Sequence, residues 1–186
     1  MITGLNKIID FKTLQRLFDS FYAATGIPSS IISLDGKILV GSGWQKICTD
    51  FHRHHPDSER ICVQSDTKIN EDLLNSKGQV VYKCPHGLID AAIPLIINNS
   101  HLANLFTGQF LFEDLSTEII DWFKKRAAKW GFDEDDYINA LTKVPIIPKK
   151  RIEPILQYLK QLAEMIGEIG LARLKLEENK KAIAEE

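Results

Sequence analysis

The chain has 186 residues, enough for one domain with its own hydrophobic core, and its 44% hydrophobic and 26% charged residues are the balance of a folded globular protein. A formal net charge of −2 gives no electrostatic case for nucleic-acid binding. No apolar run is long enough to span a bilayer, and the first ten residues lack a basic stretch followed by an apolar one, so no membrane partner is expected and the chain is placed in the cytoplasm.

Residues 5–24 carry Ile8, Phe11, Leu14, Leu17, Phe18, Phe21 and Tyr22 at the three-and-four spacing of an amphipathic helix, which Gly26 and Pro28 end. Two short strands over 31–34 and 37–40 follow, joined by Asp35-Gly36, a two-residue hairpin signal. Residues 44–76 are polar and helical in pattern; Pro56 and Gly78 read as breaks, giving helices at 44–54 and 69–76. The segment "GLIDAAIPLIINNSHLANLFTGQFLF" reads as two long central strands of an antiparallel sheet around Asn98-Asn99-Ser100. Helices are expected over 116–129, with Ser116 or Thr117 at the start, and over 133–141; "VPIIP" interrupts the pattern.

A last helix begins near Lys149 and tolerates Pro154 in its first turns. Along it Ile155, Leu159, Leu162, Ile166, Ile169, Arg173 and Leu176 alternate by four and three, the spacing of a coiled-coil seam. Two readings stand for residues 155–166: packing on the chain's own domain, or pairing with a second copy. Beyond Leu171 the sequence is too charged for core and is expected to project outward, to pair, or to lead into a following domain.

Three cysteines, Cys48, Cys62 and Cys84, are an odd number, which argues against a closed disulfide framework. With His52, His54, His55 and His86 they are ligand types that suit zinc or iron, yet the spacing matches no known metal motif. The alternative is buried cysteines acting as small hydrophobes, with the histidines on a solvated helix face. A Cys-His nucleophile pair lacks both an orienting third group and a glycine-rich oxyanion segment, so no catalytic residue is assigned. "GSG" at 41–43 fits a strand end, since no lysine-serine pair follows it as a phosphate loop requires. Gln109, in "TGQF", is either a satisfied core amide or a polar anchor of an apolar pocket.

"WQKICTDFHRHHPDSERICVQSD" followed by "YKCPHGLIDAAIPLIINNSHLANLFTGQFLF" resembles the PocR sensory domain, a PAS-like module of histidine kinases and transcription regulators. The resemblance covers roughly residues 14–112, and the motifs occur together and in order. Asn98-Asn99-Ser100 departs from it where a glycine is expected in the hairpin turn. By position it selects Cys48, Phe51, Cys62, Asp66, Cys84, Gly87, Leu88, Pro94, His101, Gly108 and Gln109.

What the resemblance implies is an α+β fold, a PAS-like antiparallel sheet with flanking helices and a long C-terminal signalling helix. The sensory domain would span 1–148 and the coiled-coil helix 149–186. The function implied is a non-catalytic input module that binds a small organic molecule, such as a diol or another hydrocarbon derivative. Trp44, Phe51, Asp66, Asp90, His101 and Gln109 are the expected ligand contacts. A metal or redox sensor, with zinc or iron on Cys48, Cys62, Cys84 and His86, is the alternative. The expected partners are a second copy through the C-terminal helix and a covalently linked output domain such as a histidine kinase.

Overall fold

The computed structural model describes residues 8–76 and 78–185. Helix α1 (Phe11–Thr25) starts where the Asp10 side chain accepts a hydrogen bond from Thr13 N–H. It ends at Gly26, which turns left-handed and donates to Tyr22 O. It begins later than the periodicity suggests; the earliest part of the expected helix lies outside the described residues. Strands β1 (Ser29–Ser33) and β2 (Ile38–Ser42) follow. Their connection is longer than the two-residue turn expected, since Gly36 N–H bonds to Ser33 O, Ser33 N–H bonds to Lys37 O, and the pairing shifts register at Ile31/Ile32. Gly36, at φ 85°, takes the left-handed position of such a three-residue loop.

A π-helical turn, Ile47–His52, stands where the helix over 44–54 was expected, and α2 (Pro56–Asn75) begins thirteen residues before the predicted helix over 69–76. Pro56 was read as a break but opens α2: it sits in the first turn, where its missing N–H costs nothing, and His55 caps the end by accepting from Ser58 N–H. Strands β3 (Val80–Lys83), β4 (Ile89–Ile97) and β5 (Ser100–Phe110) complete the sheet. Asn98 (φ 51°) and Asn99 (φ 59°) make the β4–β5 turn without the glycine. Asparagine tolerates the left-handed region, so the departure from the family pattern leaves the hairpin intact. Helices α3 (Thr117–Trp130) and α4 (Glu134–Leu141) are capped by Ser116 and Asp133. Helix α5 (Lys149–Glu185) carries Pro154 inside.

The five strands run antiparallel in the order β2-β1-β5-β4-β3, an α+β, PAS-like sheet. Alternation along the strands assigns its two faces. Ile31, Val40, Ala91, Ile93, Leu95, Ala103 and Leu105 pack with α1 and with Leu156, Leu159, Leu162 and Ile166 of α5. Ile32, Ala92 and Phe106 point the other way, onto Ile69 and Leu73 of α2. A further core joins Ile47 and Cys48 of the π turn to Phe123, Ala127, Tyr137 and Leu141 of α3 and α4.

The predicted seam is thus divided. Ile155, Leu159, Leu162 and Ile166 are buried in the chain's own core, while Ile169 and Leu176 are 49% and 53% exposed. Helix α5 comes so near β4 that a Cβ on Gly167 would stand 2.5 Å from the Ile96 carbonyl oxygen. No helix among the described residues is long and apolar enough to cross a membrane.

Candidate functional site

Between the α2 face of the sheet and the π turn lies a pocket with about 570 Å³ of empty space, its mouth included. The enclosed cavity proper is about 50 Å³, well below the roughly 300–1,000 Å³ of drug-sized ligand sites, so it suits only a very small molecule. Its β1 wall is Ser29, Ser30 and Ile32; Trp44, Cys48, His52 and Arg53 come from the π turn and its approach; α2 adds Cys62, Ser65 and Asp66. The turn before β4 supplies Cys84, Pro85 and His86, β4 supplies Asp90, and β5 supplies Phe106, Thr107, Gly108 and Gln109.

Local backbone features aim these side chains. Arg53 N–H bonds to Cys48 O at 2.8 Å, a five-residue step that widens the helix; such π turns are frequent at functional sites. On β5 a register shift opposite Ile89/Asp90 leaves Gln109 as an extra residue at φ 60°. The bulge restores Phe110 to the α5-side core and leaves Gln109 lining the pocket. A Cβ at Gly108 would overlap the Asp90 carboxylate, so the acid lies directly over bare backbone. Cys84-Pro85-His86-Gly87 is a tight turn closed by Gly87 N–H on Cys84 O.

Arg53 pairs with Asp66 at 2.6 Å, both largely buried, and its guanidinium lies 4.8 Å from the Trp44 ring centre. Burial still raises the Asp66 carboxyl above its ordinary range, outweighing the Arg53 charge that pulls it down. Asp90 is pushed up to about 7, chiefly by burial and secondarily by Asp66, against the stabilising Gln109 N–H bond. His52 and His86 stack with ring centres 4.2 Å apart. Burial brings them down to about 2 and about 4 respectively, so both rings are neutral at physiological pH. His52 Nε2 meets Tyr137 Oη at 2.7 Å, tying the pocket to α4.

Four of the six expected ligand contacts, Trp44, Asp66, Asp90 and Gln109, line this one pocket. Phe51 does not: its ring packs edge-on against Phe132 and Tyr137. His101 does not either. Its Nε2 bonds to Asn104 Oδ1 at 2.6 Å, Asn104 donates to Asn70 Oδ1, and Asn70 donates to Leu34 O, a chain that fastens α2 to the sheet.

Cys48, Cys62 and Cys84 do share the pocket wall, as thiols without a disulfide. The metal set expected of them with His86 is not assembled, for among the described residues no three His, Cys, Asp or Glu side chains are grouped to hold an ion. Burial drives the Cys62 thiol up to about 12 and Cys48 and Cys84 well above their ordinary value, so the cysteines stand in this wall as protonated thiols. The His86 ring, meanwhile, turns Nε2 to Ser58.

Sequence reasoning missed Arg53 and Ser29 as pocket residues, while it groups His52 with the cysteines as a ligand type. Arg53 had a signal, an acid on a helix needing a buried partner; Ser29 depends on how the π turn and β1 meet in space.

Residues 7–171 match the family model described as the sensory domain found in PocR. The chain belongs to the PocR sensory-domain family. The PocR match runs past residue 148 into α5, in keeping with the burial of Ile155–Ile166 in the main core. The chain is 22% identical over 157 residues to the regulatory protein PocR of Salmonella typhimurium strain LT2, covering 84% of this chain and 50% of that protein. It therefore spans about half the length of the curated relative it matches.

Proposed function

We propose that this PocR sensory domain is the cytoplasmic, non-catalytic input module of a signal-transduction protein, with a small organic molecule in the pocket as its signal. The observation that carries the reading is the convergence of Trp44, Arg53, Asp66, Asp90 and Gln109 on one cavity. An apolar cavity with a few placed polar groups is the usual build of such a receptor. The pocket's thiols and imidazoles are held in their neutral forms, which favours binding over covalent chemistry.

The signal passes to α5, whose first half is anchored on β4 and whose outer half leads to a linked output domain such as a histidine kinase. Pairing of two copies along that outer half is part of the proposal. The division at residue 148 is then one of role, since the helix from 149 also completes the core.

A panel of short diols and related hydrocarbon derivatives, titrated against the full chain while Trp44 fluorescence and thermal midpoint are followed, tests the reading. Saturable binding that Asp90→Ala weakens at least tenfold is the expected result. If no compound binds, or Asp90→Ala changes nothing, the pocket is not the receptor site.

A further inference from the structure

We propose that His86 Nδ1 and the Ser29 hydroxyl are the pocket's ligand-reading atoms, Nδ1 accepting a hydrogen from a hydroxyl or ammonium group of the ligand. The proposal rests on the receptor reading above and deepens it, since neither residue was selected there.

The buried side-chain atoms without a hydrogen-bond partner among the described residues include Ser29 Oγ and His86 Nδ1, and both residues line the pocket. Ser29 is 2% exposed and His86 1%, so neither atom has bulk water to satisfy it. A buried polar group left unpaired is costly, and such groups are normally paired. The two stand on different elements, Ser29 on β1 and His86 in the turn before β4, and both line the same cavity.

The hydrogen on the imidazole follows from its other edge. His86 Nε2 lies 3.3 Å from Ser58 O and 3.2 Å from Ser58 Oγ. A carbonyl oxygen only accepts, so Nε2 carries the hydrogen. A second hydrogen on Nδ1 would make a buried imidazolium stacked on His52 and facing Arg126 and Lys129, an arrangement that burial and those cations oppose. Nδ1 is thus a bare lone pair. The nearby acids offer it no free donor: Asp66 is engaged with the Arg53 guanidinium and Asp90 with Gln109 N–H. A buried lone pair that no protein donor meets selects a molecule that donates to it.

Side-chain nitrogen NMR on the full chain, labelled at histidine, tests this with ethylene glycol, ethylenediamine and 1,2-dimethoxyethane as probes. The last matches glycol in reach but has no hydrogen to donate. The free protein is expected to show His86 with Nε2–H and bare Nδ1. Glycol or the diamine then moves the Nδ1 resonance toward its hydrogen-bonded position, and the ether does not. Glycol acting alone identifies a hydroxyl, and the diamine acting alone an ammonium. His86→Phe, which keeps an aromatic ring against His52, and Ser29→Ala are each expected to weaken the active probe about tenfold.

A hydrogen found on Nδ1, or binding reported by Trp44 fluorescence with Nδ1 unmoved or with the ether equally effective, overturns the inference while the receptor reading stands. No response to any probe by either measurement overturns the inference, and the diol panel above then decides the receptor reading separately.

Discussion

Gln109 N–H donates to the Asp90 carboxylate at 2.9 Å while the Gln109 side chain, on the far side of the same backbone unit, accepts from Gln45 N–H at 2.6 Å. One residue thereby ties the β5 bulge both to the pocket acid on β4 and to the segment leading into the π turn. A glutamine at φ 60° is strained, and it persists because these two bonds fix it from either side. The side-chain oxygen is consequently occupied by the protein, which makes Gln109 a support of the wall as well as a part of it.

Replacing Gln109 by alanine removes the bond to Gln45 and keeps the strain, whereas glycine removes the bond and relieves the strain. Gln109→Ala is expected to lose about 1–3 kcal/mol of stability. Gln109→Gly is expected to be more stable than the alanine variant by about 1 kcal/mol. Denaturant unfolding of the two variants and the parent checks the order. If alanine and glycine unfold together, the left-handed backbone at 109 carries no strain.

Asp90 gives stability a pH dependence of definite sign. Its folded-state value of about 7 lies above the 3.8 of an unhindered aspartate, so between those limits the folded protein holds a proton that the unfolded chain has released. Stability from this group is therefore complete below the lower limit and is lost as pH rises through the upper one. Asp66, also raised, adds to the same slope, and the two lowered histidines oppose it below their ordinary value of 6.5. Asp90→Asn, measured against the parent at each pH, isolates the term. The variant is expected to gain on the parent by on the order of 4 kcal/mol between about pH 4 and pH 8. A difference that does not change with pH places the Asp90 carboxyl in its ordinary range.

The β4–β5 hairpin and the later helices were legible because each rests on a local rule: Ser116 at a helix start, Asn98-Asn99 as a turn, Lys149 as the start of the last helix. Pro56 was misread because proline breaks a helix interior yet opens a first turn, and which applies depends on where the helix begins. The bulge at Gln109 was illegible, since it exists through pairing with β4 nineteen residues away along the chain. The cysteines' shared wall followed from the family pattern, but their protonation followed from burial, which composition does not reveal. Phe51 and His101 show the same limit: their types suit a ligand site, and packing has used them to join elements.

The close approach of α5 to β4 gives two glycines different tolerances. A Cβ at Gly167 meets the Ile96 backbone oxygen, which moves only if the strand moves, whereas at Gly170 the nearest atom is the Ile97 side-chain end at 2.7 Å. Gly167→Ala is expected to cost about 1–3 kcal/mol despite the better helix propensity of alanine. Gly170→Ala is expected to be nearly neutral, because a rotamer change at Ile97 offsets the crowding against the propensity gain. Thermal midpoints of both variants decide it; a neutral Gly167→Ala means that helix and strand lie farther apart.

Ile169, Leu176 and Ile183 recur at seven-residue spacing along the outer half of α5, and they are 49%, 53% and 74% exposed. A heptad stripe left uncovered by its own chain is what a second copy would cover, with the charged residues between them flanking the contact. Truncation at Pro148 is not a clean test, because it would also delete Leu156, Leu159 and Ile166 from the core. Exchanging Ile169 and Leu176 together for lysine leaves the core untouched. Sedimentation at micromolar concentration is expected to show a dimer for the parent and a monomer for the double variant, with unfolding of the variant following the concentration-independent course of a monomer. Monomers in both cases leave the outer half of α5 without a homodimer role, and the stripe is then free for a different contact.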